Sequence, residues 1–143
     1  MTTTLIDPAP HGRAWVNEAL ALLEQEAARS ADTHLLRLDF PGFPGIAFYF
    51  KDESVHPTGS LKHRLARSLF LYALCNGRLR QGQAVVDASS GSTAISEAWF
   101  ARMLGLQFIA VMPACTAPQK IHAVQALGGQ CDLVEDPSQV HAR

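Results

Sequence analysis

At 143 residues, with 48% apolar and 17% charged side chains, the chain is long enough for one domain with a real hydrophobic core. Twelve basic against 13 acidic residues leave a net charge of −1, and no basic stripe interleaved with aromatic residues occurs, which argues against a nucleic-acid partner. There is no charged-then-apolar leader and no apolar run near ~18 residues, so no membrane segment and a cytoplasmic location are expected.

Residues 1–12 hold Pro8 and Pro10 with little periodicity and are expected to form a flexible arm; residues 13–143 form the folded part. Over residues 13–30, Trp15, Val16, Ala19, Leu20, Leu23 and Ala27 recur at three- and four-residue spacing, which predicts a helix. An apolar run at 35–40, turn chemistry at 41–45 and an aromatic-rich run at 46–51 predict two strands that could pair as a hairpin.

Residues 57–64 read Pro-Thr-Gly-Ser-Leu-Lys-His-Arg, a glycine turn that sets Lys62 at a helix start, with Ser60 as the expected cap. A lysine acts as a Schiff-base nucleophile only if it can lose its proton near neutral pH, and desolvation beside a helix N-terminus pushes in that direction. The same local pattern also fits a solvated surface charge. The helix expected at 61–76 is apolar nearly all round, which suits burial in a larger body, and Gly77 is placed to end it.

Strands expected at 84–88, 107–112 and 131–135 then alternate with helices at 93–104 and 118–127. This regular alternation predicts parallel strands joined by right-handed crossovers, the α/β class. In open parallel sheets ligands bind beyond the carboxyl ends of the strands. The loop Ser89, Ser90, Gly91, Ser92, Thr93 occupies such an end and opens a helix. Its hydroxyls and backbone N–H groups suit a carboxylate or phosphate, and an ordinary capped turn has the same composition.

Several chemistries are absent. No Gly-Lys-Ser/Thr follows a glycine turn, Gly91 lacks the companions of a dinucleotide fingerprint, and Gly-x-Ser-x-Gly does not occur. The six histidines show no metal-ligand spacing, so no metal site is expected and each reads as a surface or polar-edge residue. His56 and His63 flank the lysine turn and could touch a substrate. Asp52 and Glu53 read as solvated loop charges able to orient the turn. Cys75, Cys115 and Cys131 form no Cys-x-x-Cys pair and lie in apolar segments, a usage that suggests reduced, buried thiols.

Taken together, Asp52-Glu53, residues 57–64, the 89–93 loop, then Val111-Met112-Pro113, Lys120 and Gly128-Gly129 resemble the fold-type II pyridoxal-phosphate enzymes. Among these, the wording SLKHRLARSLFLYALCNG and ASSGSTA is most similar to a bacterial branch of cysteine desulfhydrases and cysteine-synthase-like proteins. The resemblance implies a parallel three-layer αβα sheet of the tryptophan-synthase-β-like type, incomplete here. It implies pyridoxal 5′-phosphate bound covalently by Lys62, and a substrate carboxylate gripped by Ser89, Ser90, Gly91 and Thr93. Ser92 falls where many relatives have an asparagine that contacts the cofactor ring oxygen, and its side chain is shorter. His63 replaces an aspartate common after the lysine.

The implied reaction is β-elimination or β-replacement on L-cysteine or a related β-substituted amino acid. The alternatives are a serine/threonine dehydratase-like lyase or a non-catalytic truncated remnant. The resembled enzymes are more than twice as long, and their phosphate-binding loop and the residue facing the pyridine nitrogen lie in the later half. The chain is therefore expected to be the N-terminal portion of such an enzyme, with a homodimer implied only for the full-length form. Exposed sheet edges and an uncovered apolar helix face predict poor solubility or assembly with a partner.

Overall fold

The computed structural model describes residues 10–30, 32–136 and 139. Helix α1 spans Pro10–Ser30. It starts three residues earlier than expected, because proline is favoured in a first helical turn, where its missing N–H has no partner to lose. Residues 1–9 of the expected arm lie outside the described residues.

Strands β1 (Leu35–Leu38) and β2 (Phe48–Lys51) form the expected hairpin, antiparallel from Leu35 opposite Lys51 to Leu38 opposite Phe48. Both are shorter than their apolar runs; Phe40 leaves the ladder to pack edge-on against Phe48 at 5.0 Å between ring centres, beside Phe43 of the turn at 5.7 Å. A two-stranded ribbon buries little of itself. Leu35 and Tyr49 on one face of the hairpin, and Phe43 against Phe48 on the other, accordingly remain 61%, 57% and 56% exposed.

Helix α2 (Lys62–Cys75) buries His63, Ala66, Phe70 and Leu74, one face at three- and four-residue steps. It ends on Gly77, whose φ of 65° admits the left-handed turn that returns its N–H to Leu74 O. Strands β3 (Ala84–Ala88), β4 (Gln107–Pro113) and β5 (Gln130–Val134) form a parallel sheet in the order β3-β4-β5. Helices α3 (Ser92–Met103) and α4 (Pro118–Ala126) make the crossovers.

The two faces of the sheet differ. Phe108, Ala110 and Met112 alternate along β4 into one core with Phe100 of α3, Val124 of α4 and Phe70 of α2. On the opposite face Val111 and Val134 form a small cluster with Ala88, while Val86 lies exposed. The described residues thus supply the sheet and one helical layer; the third layer of the expected architecture is not among them.

Two sequence expectations are corrected. Cys75 and Cys115 are exposed and Cys131 is half-buried, all as free thiols. An apolar segment does not make each of its positions an inner one: Cys75 follows the inward Leu74, and Cys115 lies in the loop after β4. His56 and His63 are buried, 4% and 0% exposed, because each meets a carboxylate from a distant stretch of chain.

Candidate functional site

The turn before α2 is built by Gly59, whose φ of 70° lets its N–H reach His56 O at 2.8 Å. The helix cap is Leu61, with no side-chain cap of its own, rather than the expected Ser60. Ser60 still serves the helix start, since its Oγ accepts the Lys62 backbone N–H at 3.3 Å. Lys62 is thereby the first residue of α2, and it is half-buried. No side-chain partner of its amine occurs among the described residues, which leaves it available to a ligand.

Two polar networks hold this turn. In the first, Glu53 receives Arg64 Nε at 2.7 Å and Nη2 at 3.2 Å, Thr33 Oγ1 at 2.8 Å, and His56 Nε2 at 2.8 Å. The Arg64 contact, with Thr33 and His56 behind it, lowers the Glu53 carboxyl to about 2 against the pull of partial burial. Glu53 is therefore no solvated loop charge: it orients the turn. Asp52 turns back on its own loop, accepting Ser54 N at 3.0 Å and Ser54 Oγ at 2.6 Å.

The second network is deeper. His63 Nε2 stands 2.8 Å from Glu26 Oε1 of α1, and Arg67 Nη1 donates to Glu26 Oε2 at 3.1 Å. Burial raises the Glu26 carboxyl, but hydrogen bonds from Ser30, His63 and Arg67 outweigh it and hold the group below its ordinary value. Burial also lowers the His63 imidazole, against the opposing attraction of Glu26. On its other side, His63 Nδ1 lies 3.1 Å from Thr58 Oγ1, and Thr58 Oγ1 lies 2.9 Å from Ser96 Oγ in α3. Ser96 Oγ in turn donates to Ser92 O at 2.9 Å. His56 and His63, expected as possible substrate contacts, are thus occupied internally, their rings stacked 5.1 Å apart.

The loop of Ser89, Ser90, Gly91, Ser92 and Thr93 stands where β3 ends and α3 begins. Gly91 is the helix cap in an extended conformation, and no side chain caps α3, so its first N–H groups keep their capacity for an anion. A Cβ built on Gly91 would meet nothing within 4 Å, so the main chain can be approached closely there. Ser92 is exposed, and Ser89, Ser90 and Thr93 are half-buried. Lys62 lies four residues beyond Thr58 and Ser92 four before Ser96, so the Thr58–Ser96 contact joins the lysine turn to this loop.

The donor set fits an aldehyde cofactor that carries an amino acid: a free amine at one helix start, hydroxyls and N–H groups at another, and space above a glycine. Sequence reasoning gave no role to Glu26, Thr58 or Ser96. For Glu26 and Ser96 the signal was indirect, a polar residue on an otherwise inward helix face, and Thr58 lies in the turn before α2. A further unforeseen pair is Glu97 on α3 and Asp87 on β3. Burial first, and then Asp87, push the Glu97 carboxyl up to about 8, and its Oε2 has no partner among the described residues.

The profile of the pyridoxal-phosphate dependent enzyme family matches residues 29–143, and the chain belongs to that family. It is 57% identical over 134 residues to the L-cysteine desulfhydrase of Mycobacterium tuberculosis, covering 91% of this chain and 36% of that protein. A putative cysteine synthase of Sinorhizobium fredii is 41% identical over 103 residues, 72% of this chain and 30% of the other. Among solved structures, O-ureido-L-serine synthase superposes with a TM-score of 0.70 at 32% identity, over 79% of this chain and 34% of that one. The chain spans about a third of the length of the curated relatives it matches. The structural neighbours bear out the expected α/β fold of fold-type II. No helix among the described residues is long and apolar enough to cross a membrane.

Proposed function

We propose that this chain supplies the lysine-bearing part of a pyridoxal-phosphate site for β-elimination or β-replacement on L-cysteine or a related β-substituted amino acid. The observation that carries this reading is the Thr58–Ser96 contact, which unites a free-amine helix start with an uncapped, hydroxyl-rich one. The 57% identity to an L-cysteine desulfhydrase supports the sulfur amino acid as substrate.

When bound, pyridoxal phosphate supplies an electron sink for negative charge at the substrate α-carbon. Lys62 would hold the cofactor through its amine, and the same amine would take the substrate α-proton as general base. Ser89, Ser90, Gly91 and Thr93 hold the substrate carboxylate at the start of α3, where the helix dipole favours an anion. Held there, the substrate would offer its α-proton to the Lys62 amine. Ser92 would offer a hydroxyl to the cofactor ring oxygen. In elimination, L-cysteine and water give pyruvate, ammonia and sulfide; in replacement, a second nucleophile takes the place of the leaving group.

A second reading is favoured by one observation: the exposed apolar side chains Leu35, Phe43 and Tyr49 of the hairpin and Val86 of β3 suit a chain that acts only when covered by further protein. The test is sulfide and pyruvate release from L-cysteine with pyridoxal phosphate present. Release that disappears in Lys62→Ala supports the enzymatic reading. Formation of 2-oxobutanoate from L-threonine without sulfide would favour a dehydratase. No product from either amino acid would leave the covered-partner reading.

A further inference from the structure

His63 occupies the position after the proposed cofactor lysine, and its side chain turns away from solvent into a line of polar atoms that crosses three elements. Glu26 of α1 lies at one end and Ser92 O of α3 at the other, with His63, Thr58 and Ser96 between them. We propose that His63 is a positioning residue: through Thr58 and Ser96 it fastens the Lys62 turn to the first turn of α3, setting the spacing between the lysine and the 89–93 loop. The consequence for Lys62 rests on the function proposed above; the bridge itself does not.

Counting hydrogens shows why imidazole suits this place. Glu26 is an acceptor, held by donors from Arg67 and Ser30, so His63 Nε2 must carry a hydrogen. With the ring neutral, Nδ1 accepts from the Thr58 hydroxyl, and Thr58 accepts from Ser96. With the ring charged, Nδ1 donates and both hydroxyls turn to donate the other way, ending on Ser92 O. The links from Nδ1 through Thr58 to Ser96 stay closed in both states, while the single Ser96 hydrogen turns to Thr58 when the ring is neutral and to Ser92 O when it is charged. An aspartate at 63 would set a second carboxylate against Glu26. The groups facing the ring are Glu26 from α1, Arg67 from α2, His56 stacked on it, and the rings of Trp99 and Phe100 from α3 at 4.9 and 4.8 Å.

The chain has three lysines, Lys51, Lys62 and Lys120, which makes an internal control. The full chain is incubated with pyridoxal phosphate, reduced with borohydride, and the label at each lysine is quantified by peptide mass spectrometry. Thr58→Val and Ser96→Ala, which each remove one hydroxyl of the bridge, are expected to lower labelling at Lys62 by about tenfold while sparing Lys51 and Lys120. Thr58→Ser, which keeps the hydroxyl, is expected to restore it. Parental labelling at Lys62 in both variants, or an equal fall at all three lysines, overturns the positioning role.

A second readout needs no cofactor. Ser96→Ala does not touch the His63 ring, yet it removes the donor to Thr58 and is expected to shift the ring Nδ1 signal in nitrogen NMR, as Thr58→Val does directly. Unchanged ring signals in both variants overturn the bridge. Ring signals that move while the parent takes no label at Lys62 would instead overturn the proposed function, and with it the consequence for Lys62.

Discussion

Glu26 and His63 lie 37 residues apart in sequence and 2.8 Å apart in the fold, both essentially inaccessible to water. Their contact pins α1 to α2 directly behind the candidate lysine. Truncating one partner of such a buried pair leaves the other uncompensated, a loss of about 3 kcal/mol or more. Glu26→Ala is expected to lower the unfolding free energy by about that amount in urea titration, and Glu26→Gln, which can still hydrogen-bond, by less. Equal stability of Glu26→Ala and the parent would contradict the contact.

Stability should respond to pH at both ends. Glu53 and Glu26 have lowered carboxyls, so their contribution is present above the unfolded value near 4.5 and is lost as pH falls toward the folded value, about 2 for Glu53. His63 acts the same way from its unfolded value near 6.5 downward, because burial disfavours its charged form. Glu97 runs opposite. Its folded value is raised from 4.5 to about 8, so stability falls as pH rises between these two values. Glu97→Gln is expected to flatten that decline and to stabilise the chain by at most about 3 kcal/mol at pH 7. Thermal melts at pH 5, 7 and 8 (about these values, chosen to bracket the titration) check it; a parallel decline in Glu97→Gln contradicts it.

The alternation of strands and helices after residue 84 was legible because short apolar runs, Gly105 and Gly128 punctuate it, and the observed elements agree to within a residue or so. Lys62 and the 89–93 loop were legible as local patterns. What escaped was everything decided by distant partners. His63 reads as a surface residue until Glu26 stands against it, and Glu53 reads as a loop charge until Arg64 and Thr33 close on it. Cys75 and Cys115 erred the other way, since neighbours in sequence say little about which face of a helix or loop is inward.

Two glycines make contrasting predictions. A Cβ on Gly129 would sit 2.7 Å from Val124 Cγ1 and 3.2 Å from both Phe108 and the Val124 carbonyl, so Gly129→Ala is expected to destabilise by about 1–3 kcal/mol. A Cβ on Gly91 meets nothing and its φ of −112° is ordinary, so Gly91→Ala should melt as the parent does. It should nonetheless weaken amino-acid binding, because the methyl group enters the space left for the substrate carboxylate. Calorimetric melts and substrate titration separate the two effects.

The uncovered apolar surface predicts association. Leu35, Phe43, Tyr49, Leu61 and Tyr72 are each more than half exposed, and such patches seek cover. The chain is expected to elute above its monomer mass of 15.5 kDa in size-exclusion chromatography and to bind an apolar dye. A clean, stable monomer without dye binding would contradict this.

The most direct test of the account is which lysine captures the cofactor. After incubation with pyridoxal phosphate and borohydride reduction, the label is expected at Lys62 and is expected to vanish there in Lys62→Ala, together with the visible absorbance of the bound cofactor. Absorbance that persists in Lys62→Ala, or label confined to the exposed Lys51 and Lys120, would contradict it.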